Sequence, residues 1–567
     1  MERPVTRLLR IGTRGSELAL VQARWVAARL AEHDITTDIV VIRTEGDDRP
    51  TDTAWGEGAF VGRIVAALLD GSVDLAVHSA KDVPTTEPDR LVIAAYPPRE
   101  DPRDALVCRV RGTTLATLPL GARVGTDSPR RVAFLRAIRP DLDLHPLHGN
   151  VDTRLAKLDR GESDALVLAV AGLTRLGRAD RIDDILSAAV VPSAPGQGSL
   201  ALQVRAGDDE AIAAVGLLDD ADTRVAVEVE RALLAGTGGG CRSPIGAIGT
   251  VRGGRLEVVA AAERTWTPSE GAEIRVKPVA WVRGDASPAD RNHLAVRLSR
   301  RIVALRARPR ALVARPVGQA EAMIEALEAA GVESVHVPAI EIHAAAPGGA
   351  FDTAVASVNP GDTIVVTSAN AARAMLRATT RMDVAPAVLA WAAVGEATAA
   401  VLTGAGLDRV FVPSHPTAAA LARELPLRAG DRVLVPHADI ADRALADTLR
   451  ERGATVPDVV AYETAEAPGT SRPLLAAALD DGPVDVLVLT SGSTARGLLA
   501  LASDEARPRL LATPVVTGGP VTTATARELG FQTVLQAPSP GAHALANFTA
   551  AALGAAPLGT ALTGETR

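Results

Sequence analysis

Residues 78–84 read HSAKDVP, which sets a cation and a carboxylate side by side at Lys81 and Asp82. They follow an apolar run over residues 73–77 that reads as a strand, so both emerge at a strand's carboxyl end. A carboxylate placed there can protonate a leaving group and then stabilise the cation left behind. Lys81 can hold Asp82 ionised or bind a substrate carboxylate. The plain alternative is a strand-end ion pair ahead of a proline turn.

Cys241 lies in a second unusual stretch, GTGGGCRSPIG at residues 236–246, after a helical pattern over residues 225–235. Glycines let a backbone approach a bulky ligand, and an accessible thiol there can be alkylated. An incidental cysteine in a flexible turn fits the same residues. The stretch is not a dinucleotide fingerprint, because no GxGxxG opens a helix. Arginines form the third feature: Arg14 in TRGS, Arg130 and Arg131 in GTDSPRR, Arg154 in HGNVDTRL and Arg175 in AVAGLTR. Guanidinium groups suit bidentate carboxylate binding, so this set points to a small polyanionic ligand. Any one of them can equally be a solvated arginine paired with a nearby aspartate.

The second half offers no Ser–His–Asp pattern, no GxSxG and no metal-spaced His/Cys group. Its candidates are small hydroxyl residues in turns: Thr367 and Ser368, Thr490 and Ser491, Thr522 and Thr523. Each can offer a hydroxyl or a backbone N–H to an anion at a helix start, or simply cap that helix. Tyr462, in VVAYETA, can donate a hydrogen bond to a leaving hydroxyl, or pack at a junction.

Strand-like and helix-like segments alternate to position these residues. Residues 8–12, 35–42 and 73–78 read as strands, and 16–30 and 60–69 as helices. Such alternation predicts α/β domains with largely parallel sheets and sites at the carboxyl ends of strands. Residues 254–263 read as strands and 290–306 as a basic amphipathic helix, which predicts a smaller α+β domain. A basic linker, ARPR, occupies 307–310, and a fresh strand is expected from Ala311. Beyond it the sequence echoes itself. VVTSANAARAM at 365–375 returns as VLTSGSTARGL at 488–498, and VGEATAAVLTGAG at 394–406 as GGPVTTATARELG at 518–530. Two similar lobes with a cleft between them follow from that echo. A small, polar tail runs from Ala555.

A chain of 567 residues is too long for one core, so several domains are expected. Aromatics are only 2%, which argues against nucleic-acid binding by stacking. The net charge of −8 excludes a general basic footprint for nucleic acid or an anionic membrane. Two cysteines make neither a disulfide framework nor a four-cysteine zinc site, and no metal is expected. The first ten residues lack a signal-peptide apolar region, and no apolar run has transmembrane length, so a cytoplasmic chain is expected.

Taken in order, TRGSELALVQA, HSAKDVP, REDPRDAL, GTDSPRR, HGNVDTRL, LAVAGLTRLG, PSAPGQGSLAL and GGGCRSPIGA resemble hydroxymethylbilane synthase (porphobilinogen deaminase) over residues 5–305. The resemblance implies three domains: 5–98 with 199–216, 104–192, and 221–305. The first two would be α/β domains like periplasmic binding proteins, the third a small α+β domain. It implies that Cys241 carries a dipyrromethane cofactor through a thioether, and that Asp82 protonates the departing amine of porphobilinogen and steadies the pyrrole cation. Four porphobilinogen units would be joined into hydroxymethylbilane with loss of ammonia. Lys81, Ser128, Arg130, Arg131 and Arg154 match cofactor-holding positions, and Arg14, Ser16, Arg175 and His148 substrate-holding ones. Three residues depart from the family pattern. Glu57 stands where a lysine is common, His148 where an arginine is usual, and Asp127 where a serine is common.

ALVARP, VVTSANAARAM, AAVGEATAAVL, VLVPHADIADRALADTLRERGATV, VVAYETA, VLVLTSGSTARGL and GGPVTTATARELG resemble uroporphyrinogen-III synthase over residues 311–555. That resemblance implies two flavodoxin-like α/β lobes, 311–342 with 466–555 and 345–462. The implied reaction is cofactor-free closure of hydroxymethylbilane with inversion of the last ring. Tyr462 would assist hydroxyl departure. Thr367, Ser368, Thr490, Ser491, Thr522 and Thr523 would contact substrate. The expected whole is a monomeric, cytoplasmic, bifunctional enzyme with residues 1–306 and 311–555 as its catalytic halves and 556–567 as a tail. Its ligands would be porphobilinogen and hydroxymethylbilane, with no nucleic acid and no membrane. Two rivals stand beside it. One is a hinged anion-binding module, against which the absent signal peptide and Cys241 argue. In the other, one half is a degenerate regulatory domain.

Overall fold

The computed structural model describes residues 7–44, 61–86, 89–240, 242–269, 271–439 and 443–555. Two compact units emerge. The first comprises Met1–Thr267, Val276–Pro309 and Asp480–Pro483, and the second comprises Pro268–Arg275, Arg310–Leu479 and Val484–Arg567. Both are mixed α/β.

In the first unit one sheet runs Thr37–Val41, Leu9–Thr13, Leu75–Ser79, Leu200–Arg205, Leu91–Ala95. The first three are parallel, and Leu200–Arg205 is antiparallel to both its neighbours. Leu75–Ser79 and Leu200–Arg205 are buried almost throughout, His78 and Gln203 included. Ala23, Val26 and Leu30 recur at helical spacing on Glu17–Ala31 and pack on Leu9, Ile11, Leu75 and Val77. A second sheet runs Asp143–His145, Arg123–Gly125, Ala165–Ala169, Asp104–Cys108, Asp184–Ile185. The chain leaves the first sheet after Leu91–Ala95 and re-enters it at Leu200–Arg205, so two segments cross between the sheets.

The third sheet is an antiparallel meander of Ile245–Arg252, Arg255–Glu263 and Val279–Ala286. Its hairpin pairs Arg252 with Arg255 across Gly253 and Gly254. Both glycines have positive φ, 56° and 75°, as a two-residue hairpin with strand-compatible twist requires. Helices Ala221–Gly236 and Arg291–Ala307 supply apolar residues to its core.

In the second unit an all-parallel sheet runs Glu333–His336, Arg310–Val313, Val486–Leu489, Val515–Thr517, Val534–Gln536. The other runs Ile340–Ala344, Asp458–Glu466, Val433–Ala438, Thr363–Val366, Ala390–Ala393, Val410–Phe411. The internal echo has a structural form. Ser368 and Ser491 each follow a buried strand in the same extended conformation and cap the next helix, Ala369–Arg381 and Gly492–Leu501.

Several boundaries differ from the sequence reading. The strand expected at 73–78 is Leu75–Ser79, which leaves Lys81 and Asp82 in the tight turn Ala80–Asp82. The helix expected at 225–235 starts at Ala221, because Asp220 accepts the Thr223 N–H at 2.8 Å and caps it. Arg310 is not a linker residue. It opens a strand, is 2% exposed, and donates to the Ala478 carbonyl at 2.7 Å beside Glu333 at 3.3 Å. A buried guanidinium needs such partners, and charge alone did not reveal them. Residue 60 and the tail 556–567 lie outside the described residues.

Candidate functional site

A cavity of about 680 Å³ opens in the first unit, lined from both α/β sheets. Arg14 and Ser16 come from the turn after Leu9–Thr13, and Lys81 and Asp82 from the turn after Leu75–Ser79. Asp127, Arg131, Arg154 and Arg175 come from the second sheet's loops and helices. The size is that of a small-molecule site. Arg43, which the sequence reading did not select, lines it too.

Asp82 is exposed by its surface area and lines the cavity, so its desolvation comes from the cavity walls crowding it. Burial raises its pKa, opposed by the charges of Lys81 and Arg14. Burial also draws Lys81 down, to about 8, with Asp82 as the main opposing charge. The Lys81 Nζ donates to Gln197 Oε1 at 3.1 Å. Gln197 in turn donates through Nε2 to the Pro102 carbonyl at 2.7 Å and to Asp104 Oδ1 at 2.9 Å. The fully buried Asp104 carboxylate also accepts Arg130 Nη2 at 2.8 Å and Arg131 Nη2 at 2.6 Å. Burial alone would raise Asp104, but Arg130 and Arg131 hold it well below the usual carboxylate range. A polar chain thus runs from the cavity wall at Lys81 to a buried carboxylate with two arginines.

Gln197 owes its place to its neighbours. At Gly198 (φ +86°) a Cβ would sit 2.4 Å from the Glu100 carbonyl oxygen, and Gly196 (φ +78°) packs on Ala80. Only glycine permits that approach. The Gly196 N–H donates to Glu230 at 2.7 Å, and Glu230 forms a bidentate pair with Arg99 at 2.7 and 2.9 Å. The glycines of APGQG were a visible signal for Gln197, and the second aspartate of REDPRDAL for Asp104.

Not every expected residue reaches the cavity. Arg131 lines it; Arg130 does not, because its guanidinium is consumed by Asp104 and the Pro192 carbonyl. Ser128 caps helix Pro129–Ile138 by accepting the Arg131 N–H, and is absent from the lining. His148 also stands off the lining, with Nδ1 3.0 Å from Asp127 Oδ1. Arg154 donates to Asp127 at 3.0 Å and to the Gly149 carbonyl at 2.7 Å, and Arg175 to the Gly198 carbonyl at 2.8 Å. Ser16 caps helix Glu17–Ala31 from the cavity wall. Cys241 and Glu57 lie outside the described residues.

In the second unit Tyr462, on strand Asp458–Glu466, places its hydroxyl 3.0 Å from Ser368 Oγ. Ser368 Oγ also accepts the Ala371 N–H at 3.0 Å. Either hydroxyl can donate in the contact between them, and with Ser368 as donor the phenol hydrogen is free for another acceptor. Burial raises the Tyr462 pKa, so the phenol stays protonated. Thr367 points elsewhere, into a cavity of about 170 Å³ shared with His437, Arg443, Arg450 and Asp458. Ser491 is engaged in a capping box with Thr494, and Thr490 precedes it at the strand's end. Thr522 and Thr523 are buried at 6% and 4% exposure. The Thr523 hydroxyl does not face a cleft: it meets Thr517 Oγ1 at 2.6 Å, Gln536 Oε1 at 3.0 Å and the Gly519 carbonyl at 2.9 Å. Among the described residues no cluster of His, Cys, Asp and Glu could hold a metal ion, and no helix is long and apolar enough to cross a membrane.

Residues 9–213 match the family model "Porphobilinogen deaminase, dipyromethane cofactor binding domain". Residues 321–547 match "Uroporphyrinogen-III synthase HemD". A porphobilinogen deaminase of Roseiflexus castenholzii is 51% identical over 253 residues, which are 44% of this chain and 83% of that protein. One from Mycobacterium tuberculosis is 50% identical over 245 residues, 43% of this chain and 79% of the relative. Among solved structures, a mutant uroporphyrinogen III synthase of Thermus thermophilus aligns at 20% identity and a TM-score of 0.33, covering 43% of this chain and 98% of its own.

Proposed function

We propose, for a chain that belongs to the porphobilinogen deaminase family and carries a uroporphyrinogen-III synthase domain behind it, that one polypeptide builds a linear tetrapyrrole and then closes it. The observation that carries the first half is the cavity in which Asp82 and Lys81 meet Arg14, Arg131, Arg154 and Arg175. Every pyrrole of the substrate brings two carboxylates, and this wall supplies cations for several of them.

The same wall fits a dipyrromethane group. Arg14, Lys81, Arg131, Arg154 and Arg175 would hold its side chains, with Cys241 as the thioether anchor. Bound there, the group supplies the pyrrole end on which the chain grows. Asp82, raised by burial, gives its proton to the departing amine, and its carboxylate then faces the pyrrole cation. Lys81, tethered by Gln197, binds a carboxylate beside it. Arg130, Ser128 and His148 act behind the wall, by fixing Asp104, the helix start and Asp127.

In the second half Tyr462 donates to the leaving hydroxyl of hydroxymethylbilane while Ser368 orients the phenol. The lobes hold the chain in a pose that favours the inverted ring. The divisions 5–98 with 199–216, 104–192, 221–305, 311–342 with 466–555, and 345–462 are the domains that would do this. A monomer in the cytoplasm suffices. A fused partner raises the local concentration of the ring-closing site around a product that can also close unaided to the uninverted isomer.

Intact mass spectrometry of the purified chain and of Cys241→Ser tests the first half. A mass excess of two pyrrole units on the wild type, absent from the variant, is expected. An unmodified wild type after incubation with porphobilinogen would refute the anchor. The isomer made from porphobilinogen tests the second half: type III supports it, and type I alone refutes it.

A further inference from the structure

The loop after strand Arg310–Val313 carries Arg315 and Gln319 toward the other lobe of the second unit. Helix Ala369–Arg381 meets it there: Gln319 Nε2 donates to Asn370 Oδ1 at 3.0 Å. Asn370, Arg373 and Arg377 are spaced by three and four residues, so they share one face of that helix. Arg373 and Arg377 are exposed on it. The face that touches the loop is thus a cationic one.

Arg315 is drawn into the same place. Its Nε is buried and has no hydrogen-bond partner among the described residues. Burial lowers its pKa, the positive charge of Arg373 lowers it further, and only Glu321 opposes. Glu321 is itself engaged by the Gly318 N–H at 3.1 Å. No carboxylate among the described residues forms an ion pair with Arg315 or Arg373. Two guanidinium groups from different lobes repel one another here, opposed only by the charge of Glu321, which pairs with neither. A bound anion would offset that repulsion.

The surroundings say which anion. Helix Ala369–Arg381 begins at Ser368, whose hydroxyl meets Tyr462. Arg373 lies five residues on, roughly 7–8 Å along the helix axis at 1.5 Å per residue. That is the scale of one pyrrole with a carboxylate side chain. We infer that Arg315 and Arg373 together clamp an acetate or propionate carboxylate of the linear tetrapyrrole, and so set its hydroxymethyl end at Tyr462. The inference rests on the proposed ring-closing activity. The pair acts as positioning residues: neither touches the bond that breaks. Because the clamp draws on both lobes, a carboxylate in it also ties the lobes together.

The test feeds preformed hydroxymethylbilane to the full chain and to Arg315→Gln, Arg373→Gln and the matching lysine variants. Each glutamine variant is expected to raise KM about tenfold with a smaller change in kcat. Each should also release more of the uninverted isomer, since substrate held loosely escapes to close unaided. Lysine at either position should recover part of the KM, and porphobilinogen consumption by the first half should stay at the wild-type rate. Arg373 is exposed, so Arg373→Gln remains informative should the Arg315 variant fold poorly. An active wild type whose Arg373→Gln variant keeps the same KM and isomer ratio would overturn the clamp alone. A wild type that closes hydroxymethylbilane no faster than buffer would overturn the ring-closing reading and the clamp with it.

Discussion

His148 Nδ1 stands 3.0 Å from Asp127 Oδ1, and these are two of the three positions at which the resemblance to the deaminases leads one to expect another residue. The two side chains are neighbours in space. Asp127 also accepts Arg154 at 3.0 Å, so its carboxylate spans a histidine and a cavity arginine. An aspartate there adds a negative charge to an anion site, and the Arg154 guanidinium answers it, with the His148 ring alongside.

A double-mutant cycle measures that coupling. Asp127→Ser alone frees Arg154 from its acceptor and removes the carboxylate beside His148, and His148→Arg alone puts a permanent cation against Asp127. Each single variant should raise the KM for porphobilinogen several-fold, and Asp127→Ser/His148→Arg should fall back toward the wild type. Strict additivity of the two single effects would show that the pair is incidental.

Lys81 sets a pH limb. Burial lowers its pKa from 10.5 to about 8, so between those values the unfolded chain holds a proton that the folded chain has lost. Stability from this group therefore rises as pH climbs through that window. Activity moves the other way, because the cavity loses a cation. The kcat/KM for porphobilinogen should decline through about pH 8, and Lys81→Arg should remove that limb, since arginine keeps its charge. Gln197→Leu takes away the oxygen that accepts from the ammonium, so its limb should lie lower than the wild type's. A pH–rate profile unchanged in both variants would separate Lys81 from the limb.

Much of this site could be read from residue types, because strand ends and glycine turns leave local marks. HSAKDVP placed Lys81 and Asp82 correctly at the close of a strand, and APGQG marked a tight crossing. What stayed hidden was partner choice. Arg130 and Arg131 are adjacent and alike in sequence, yet the helical turn sends one guanidinium wholly into Asp104 and Pro192 and leaves the other at the wall. Thr367 and Ser368 likewise diverge at a helix cap, one to a side cavity and one to Tyr462. Such choices depend on residues far along the chain, and local spacing carries no trace of them.

The Tyr462–Ser368 contact predicts graded losses. Tyr462→Phe removes the donor to the leaving hydroxyl and should slow closure of hydroxymethylbilane about 100-fold, the lower end of the range for one general-acid or hydrogen-bonding group. Ser368→Ala removes only the group that orients the phenol, and also a helix cap, so its rate loss should be smaller and its thermal stability lower. Porphobilinogen consumption should not change in either. Equal rates for Tyr462→Phe and wild type on preformed hydroxymethylbilane would remove the tyrosine from the chemistry.

Thr523 separates a binding role from a structural one. Its hydroxyl meets Thr517, Gln536 and the Gly519 carbonyl, so its single hydrogen is already committed within the protein. Thr523→Val keeps the shape but takes one partner from the buried Thr517, which keeps the Leu535 carbonyl at 3.2 Å, and one from the exposed Gln536. Losing one such hydrogen bond costs about 0.5–1.5 kcal/mol. Thr523→Ser restores the hydroxyl and should recover most of that loss. Calorimetry should therefore show a lower transition for the valine variant than for the serine one, while KM for hydroxymethylbilane stays at the wild-type value in both. A raised KM in Thr523→Val with an unchanged transition would reverse the assignment, and would mean that the hydroxyl turns outward when substrate is bound.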